Sequence, residues 1–152
     1  MGRRLKLTFV KEKVSAFADL LDDDARMTCQ AVWKALPIRT KAIHDIWSGP
    51  QLLMHLNPMI KLPAENLLTY IPAAGDIFYY YRPRHYFRGA PYGLAEATEI
   101  GITYDRDSRP QGPRGPKAVN LFATLSEGKV AFTKVCRNMI YEGSKDMKIE
   151  RA

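Results

Sequence analysis

The sequence predicts a mainly β protein: a small closed antiparallel barrel with an α-helix closing each end. Three observations carry that expectation. Two alternating hydrophobic runs open the chain, one short helical pattern is followed by a long succession of short strand patterns, and a second helical pattern with a final strand ends it. At 152 residues and 46% hydrophobic content, the chain has the size and apolar surface of one domain with one core.

Leu5, Leu7 and Phe9 alternate with polar residues, and Val14, Ala16, Ala18 and Leu20 do so beyond Lys11-Glu12-Lys13, a pattern that predicts a hairpin. A helix is expected next. Asp22, Asp23 and Asp24 are suited to cap its N-terminus, Cys29, Val32, Trp33 and Leu36 form its apolar stripe, and Pro37 stops it. Strands are then expected at Arg39 to Trp47, Gln51 to Leu56, Asn66 to Ile71, Asp76 to Tyr81 and Ala97 to Tyr104, separated by Gly, Pro and Asn. Strands this short and this closely spaced favour a barrel or sandwich over a parallel sheet. From Asp107 to Ala118, the breakers Pro110, Gly112, Pro113, Gly115 and Pro116 predict an exposed loop long enough to cover a site. Val119 to Leu125 reads as a further strand. Ser126 and Gly128 open a second helix with a stripe of Phe132, Val135, Cys136, Met139 and Ile140; Gly143 stops it, and Met147 and Ile149 mark the last strand.

Several function classes lose support. Residues 1–13 carry charges throughout, unlike a secretory signal, and no span approaches the roughly 18 apolar residues of a membrane helix, so a soluble, cytoplasmic protein without membrane association is expected. Cys29 and Cys136 fall on helix stripes, where a thiol acts as a small hydrophobe. His44, His55 and His85 lack metal-ligand spacing, and no phosphate loop, nucleotide fingerprint or nucleophile elbow occurs, so neither metal nor cofactor is expected. The net charge of +7 favours anionic partners only in a general way, because it is scattered. Basic residues between Arg82 and Lys117 interleave with Tyr86, Phe87 and Tyr92, as in binders of single-stranded nucleic acid; Glu96, Glu99, Asp105 and Asp107 interrupt them and argue against that partner. The better use is one or two arginines, Arg82 and Arg114, reaching a ligand carboxylate or phosphate from a pocket rim.

Taken as a set, the opening hairpin, LLDDDARMTCQAVWKALP, AIHDIWSGPQ, PAENLLTYIPAAGDIFYYY, NLFATLSEG and FTKVCRNMIYEGSKDMKIER resemble a prokaryotic family of unknown function with a cyclophilin-like barrel. The resemblance spans nearly the whole chain and implies that fold. Cyclophilins proper are peptidyl-prolyl isomerases with a groove on the barrel wall built from an Arg, aromatics and a Gln. Their Phe-His-Arg signature is replaced here by Ala42-Ile43-His44-Asp45-Ile46, without the Arg, which argues against isomerase activity. Other cyclophilin-like barrels belong to bacterial enzymes that hydrolyse cyclic or urea-like amides, so the resemblance also implies a small polar amide as ligand.

His44 and Trp47 flank the Ser48-Gly49-Pro50 turn at a strand end, offering an imidazole for proton transfer and an indole wall; strict strand alternation would put them on opposite faces unless the turn begins early. Tyr79 and Tyr81 share a strand face with Ile77, and Phe78 and Tyr80 take the other, so both faces must be covered, by core on one side and by a pocket, loop or partner subunit on the other. Glu99 shares a face with Gly101 and Thr103, where a missing side chain leaves room beside an acid. Ordinary core and solvent roles compete for each of these residues. The expectation is a small-molecule-binding protein, or a metabolic enzyme, acting on a small polar amide or carboxylate. Its ligand-binding residues would be His44, Trp47, Tyr79, Tyr80, Tyr81, Arg82, Glu99 and Arg114, with His44 and Glu99 as catalytic candidates. The competing expectation is a homo-oligomeric assembly module using the tyrosine strand as its subunit contact.

Overall fold

The computed structural model describes residues 2–67, 73–84 and 95–152. Eight strands of the described residues, β1 (Arg4–Phe9), β2 (Val14–Leu20), β3 (Ile38–His44), β4 (Gln51–His55), β5 (Asp76–Arg82), β6 (Ala97–Thr103), β9 (Asn120–Glu127) and β10 (Lys145–Arg151), close into an antiparallel barrel. Their order around it is β1-β10-β3-β4-β6-β5-β9-β2. A two-stranded hairpin, β7 (Gln111–Gly112) and β8 (Gly115–Pro116), stands outside the barrel. The helices are α1 (Arg26–Ala35) and α2 (Lys129–Glu142). Among the described residues, no helix is long and apolar enough to cross a membrane.

Alternation decides which side chains fill the barrel. Leu5, Leu7 and Phe9 of β1 stand opposite Ala18, Ala16 and Val14 of β2, as the opening hairpin requires. Large inward residues therefore face small ones, and Leu52, Met54, Ile77, Tyr79, Ile100, Ile102, Phe122, Met147 and Ile149 complete the core. The helices seal opposite ends. Cys29 and Val32 of α1 join the core where β2 ends and β9 begins; Phe132, Cys136 and Met139 of α2 join it where β1 ends, and Phe132 stacks on Phe9 at 4.7 Å. Burial pushes the Cys29 thiol up to about 12 and raises that of Cys136 as well, so both behave as apolar side chains.

The helix termini differ from the sequence expectation in an instructive way. Residues 22–24 form a turn, the N-cap is Ala25 with no side-chain bond, and Asp22 pairs with Arg3 instead. The capping acid comes from 37 residues downstream: Glu65 accepts hydrogen bonds from the Thr28 N–H at 3.0 Å, the Thr28 hydroxyl at 2.7 Å and the Met27 N–H at 2.7 Å. Burial pushes the Glu65 carboxyl upward, but these bonds outweigh it and hold the group below its ordinary value. In α2, Gly128 at φ +75° abuts β2 so closely that a Cβ would lie 2.6 Å from the Ser15 carbonyl, and Gly143 stops the helix by donating to the Met139 carbonyl. Ile140 leaves the expected stripe and is 58% exposed, because the core takes only the i, i+3, i+4, i+7 set from Phe132 to Met139.

Two further expectations need correction. Asn66 and Leu67 are not in a strand, and residues 68–71 lie outside the described residues. Asn66 still acts as a strand mate through its side chain, donating to the Leu121 carbonyl at 2.8 Å and accepting from its N–H at 2.9 Å. The 107–118 segment is not uniformly exposed loop: it contains the β7–β8 pair, and Ser108 is buried.

The outer wall over β3, β4, β6 and β5 carries Ile43, Leu53, Gly101 and Phe78 in register. Gly101 is indispensable there, because the Phe78 ring lies across it and an added Cβ would fall 2.1 Å from the ring. Gly101→Ala is therefore expected to lower unfolding free energy by about 2–3 kcal/mol in denaturant titration, as overpacked sites do. A change below about 0.5 kcal/mol would contradict this contact.

Candidate functional site

Outward-facing residues of β3 to β6 and the β7–β8 hairpin enclose a cavity of about 350 Å³ on the outside of the barrel. Ile43, Leu53 and Pro113 supply apolar walls, while His44, Trp47, Tyr80, Arg82, Glu99 and Lys117 bring polar groups to it. Its chemistry centres on Glu99. This carboxylate sits on the outer wall of a central strand yet is only 2% exposed. His55 Nε2 lies 3.2 Å from Oε1, Arg82 lies 3.8 Å from the same oxygen, and Lys117 Nζ lies 3.8 Å from Oε2. Burial pushes the Glu99 carboxyl upward, but the His55 hydrogen bond and the fields of Lys117, His55 and Arg82 prevail and hold it below the usual range, so it is ionised at neutral pH.

Register explains why these groups meet. Glu99 of β6 stands opposite His55 of β4 on one side and Tyr80 of β5 on the other, and Arg82 projects from the same face as Tyr80. Lys117 arrives from outside the sheet: its ammonium lies 4.7 Å from the centre of the Tyr80 ring, and its N–H donates to the Pro110 carbonyl at 2.7 Å. Tyr80, Phe78, Leu53 and Val119 form a small apolar cluster beneath the hairpin.

A buried polar anchor holds the hairpin over this wall. The Asp45 carboxylate accepts from the Trp47 N–H at 2.6 Å, the Ser48 N–H at 3.2 Å and the Ser48 hydroxyl at 3.0 Å. Ser48 Oγ accepts in turn from the Gln111 N–H at 2.9 Å. The Ser48 carbonyl accepts from the Ser108 hydroxyl and the Arg109 N–H, both at 3.1 Å, while Gln51 Nε2 donates to Ser108 Oγ at 3.0 Å. An Asx-type turn thus fastens two distant segments and makes the roof part of the wall.

His44 and Trp47 line one cavity because β3 ends at His44 and the turn begins at once. Imidazole Nδ1 donates to the Asp45 carbonyl at 2.9 Å, and Nε2 lies within hydrogen-bond distance of the Tyr104 hydroxyl at 2.7 Å. His44 and Glu99 border the same space without pairing, each held by its own partner. Arg82 and Tyr80 also face it. Tyr79 and Tyr81 do not: the Tyr79 hydroxyl donates to the Ile60 carbonyl at 2.6 Å on the core side, and that of Tyr81 donates to Glu96. Arg114 occupies the exposed tip of the β7–β8 hairpin, outside the cavity wall. Within the chain the tyrosine strand β5 pairs with both β6 and β9, and Tyr79 and Tyr80 are buried. Sequence reasoning missed Lys117, His55 and Asp45 as parts of the site. His55 had a legible signal in its outward parity beside Leu53; Lys117 and Asp45 depend on where the hairpin docks.

Because the Glu99 carboxyl lies below its ordinary 4.5 in the folded chain, its ion cluster contributes stability above that pH and loses it as pH falls through the depressed value. Acid unfolding of Glu99→Gln should therefore show a smaller loss of stability below about pH 4.5 than wild type does, from a lower starting point at neutral pH. Identical acid slopes in the two proteins would remove Glu99 from the cluster as an ionised group.

Comparison with known proteins extends the fold and leaves the chemistry open. The hypothetical protein AF2241 from Archaeoglobus fulgidus superposes with a TM-score of 0.64 at 19% identity, over 99% of this chain and 95% of that one. McbB, solved in complex with tryptophan, gives a TM-score of 0.64 at 13% identity, over 97% of this chain and 44% of that one. At such identities the likeness is one of fold. No curated protein matches the sequence. The model of a protein family of unknown function, DUF3830, matches residues 7–150, and the chain belongs to that family.

Proposed function

We propose that the chain is a cytoplasmic small-molecule-binding protein, one cyclophilin-like domain whose outer-wall cavity receives a small polar amide or carboxylate. One observation carries the reading: inside a cavity of about 350 Å³ with apolar walls, Arg82 and Lys117, only 17% and 12% exposed, converge on the buried Glu99. Soluble proteins rarely draw three charges together in a half-enclosed apolar site, and such an arrangement is typical of ligand pockets. Arg82 and Lys117 offer donors for a ligand carboxylate or carbonyl oxygen, and Glu99 offers an acceptor for a ligand N–H and a group able to move a proton. The location agrees with the barrel-wall groove that the cyclophilin resemblance implies, although the nearby Gln51 is turned into the hairpin anchor and does not line the space. McbB, a neighbour in fold, was solved with tryptophan, itself a small carboxylate, which is consistent with the reading without carrying it.

A ligand that binds only the folded state must raise the unfolding temperature. Thermal unfolding in the presence of benzoate, pyruvate, 2-pyrrolidinone and nicotinamide should show stabilisation by at least one of them. Lys117→Met should abolish that shift, and Arg114→Ala should preserve it. Absence of any shift in wild type, or equal shifts in Lys117→Met, would contradict the assignment.

A further inference from the structure

Within the cavity, one donor and one acceptor are left facing each other without a hydrogen bond. Glu99 Oε2 is buried and accepts none among the described residues. The Lys117 ammonium, 3.8 Å away, is beyond hydrogen-bond reach of that oxygen; it rests against the Tyr80 ring and donates no hydrogen bond of its own among the described residues. A buried charged oxygen and a nearly buried ammonium each lose substantial solvation when left unfilled, so the pair is arranged for a third group that satisfies both at once.

That group must accept from Lys117 and donate to Glu99 along one edge. A carboxylate offers only acceptors and would set a second negative oxygen against Glu99 Oε2. A trans secondary amide, such as an ordinary peptide bond, carries its C=O and N–H on opposite edges. A primary amide or a ring lactam carries both on the same edge, with the carbonyl oxygen placed for Lys117 and the N–H for Glu99. Resting on the pocket reading above, we infer that the site is selective for primary or cyclic amides, with the carbonyl held by Lys117 and the N–H by Glu99 Oε2.

Isothermal titration calorimetry with benzamide, benzoate and N-methylbenzamide tests this directly, since the three share a phenyl ring and differ only at the recognised edge. Benzamide is expected to bind about tenfold tighter or more than the other two, the usual consequence of losing a hydrogen bond to a charged group. In Glu99→Gln the preference for benzamide over benzoate should collapse, because the glutamine amide presents a donor as readily as an acceptor. Lys117→Met retains an unbranched stem against Tyr80 and should weaken benzamide binding, which supplies a second variant should Glu99→Gln fail to fold. Benzoate or N-methylbenzamide binding as tightly as benzamide overturns the amide assignment while leaving the pocket in place. Failure of benzamide to bind wild type overturns it too, and the pocket reading falls with it only if the thermal screen is also silent.

Discussion

A carboxylate removed from water on the outer wall of a barrel is the constraint around which this part of the molecule is built. Glu99 is 2% exposed although its face of the sheet points away from the core. An ionised group in that position demands opposite charge and hydrogen bonds, and leaving it alone would cost several kcal/mol. The response is distributed: His55 comes from the neighbouring strand on one side, Arg82 from that on the other, and Lys117 from a segment 18 residues further along the chain. Because Lys117 is a member, the β7–β8 hairpin has to dock. Docking in turn needs the Asp45–Ser48 turn that receives it.

The same docking converts a flat wall into a cavity. Gly101 lets Phe78 lie flat across the sheet, so Tyr80 beside it stands against Leu53 and Val119 and carries the Lys117 ammonium on its ring face. Apolar packing and charge pairing therefore reinforce one another here, the ring lowering local polarity and the ions fixing where its neighbours sit. The barrel contributes rigidity, with both ends closed by helices whose stripes continue the core. Rigid walls and a fastened roof are what a preorganised binding site requires.

Much of the fold is legible in the sequence because it rests on local periodicity. Leu5, Leu7 and Phe9 against Val14, Ala16 and Ala18 specify the first hairpin, and alternation across Ile77 to Tyr81 separates Tyr79 from Tyr80 without any structure. Parity also pairs Glu99 with Gly101, although the space that glycine leaves is taken by Phe78 rather than by a ligand. Residues whose roles depend on distant segments were not legible. Glu65 caps a helix it does not adjoin, Asn66 mimics a strand with its side chain, and Lys117 rather than Arg114 turns inward because the short β7–β8 pairing sends one basic residue to the tip and the other to the wall. Nothing in the composition of the 107–118 segment distinguishes those two cations.

Under the function proposed above, the outer wall around Glu99 is where this chain meets its ligand. Backbone amide spectra of the ¹⁵N-labelled protein during titration with nicotinamide test it most directly, because they report the location of contact whatever the affinity. Shifts concentrated at Leu53, Glu99, Gly112 and Lys117, together with the Trp47 indole, are the predicted result. Shifts confined to the α2 end of the barrel, around Gly75, Lys129 and Thr133, would contradict the account.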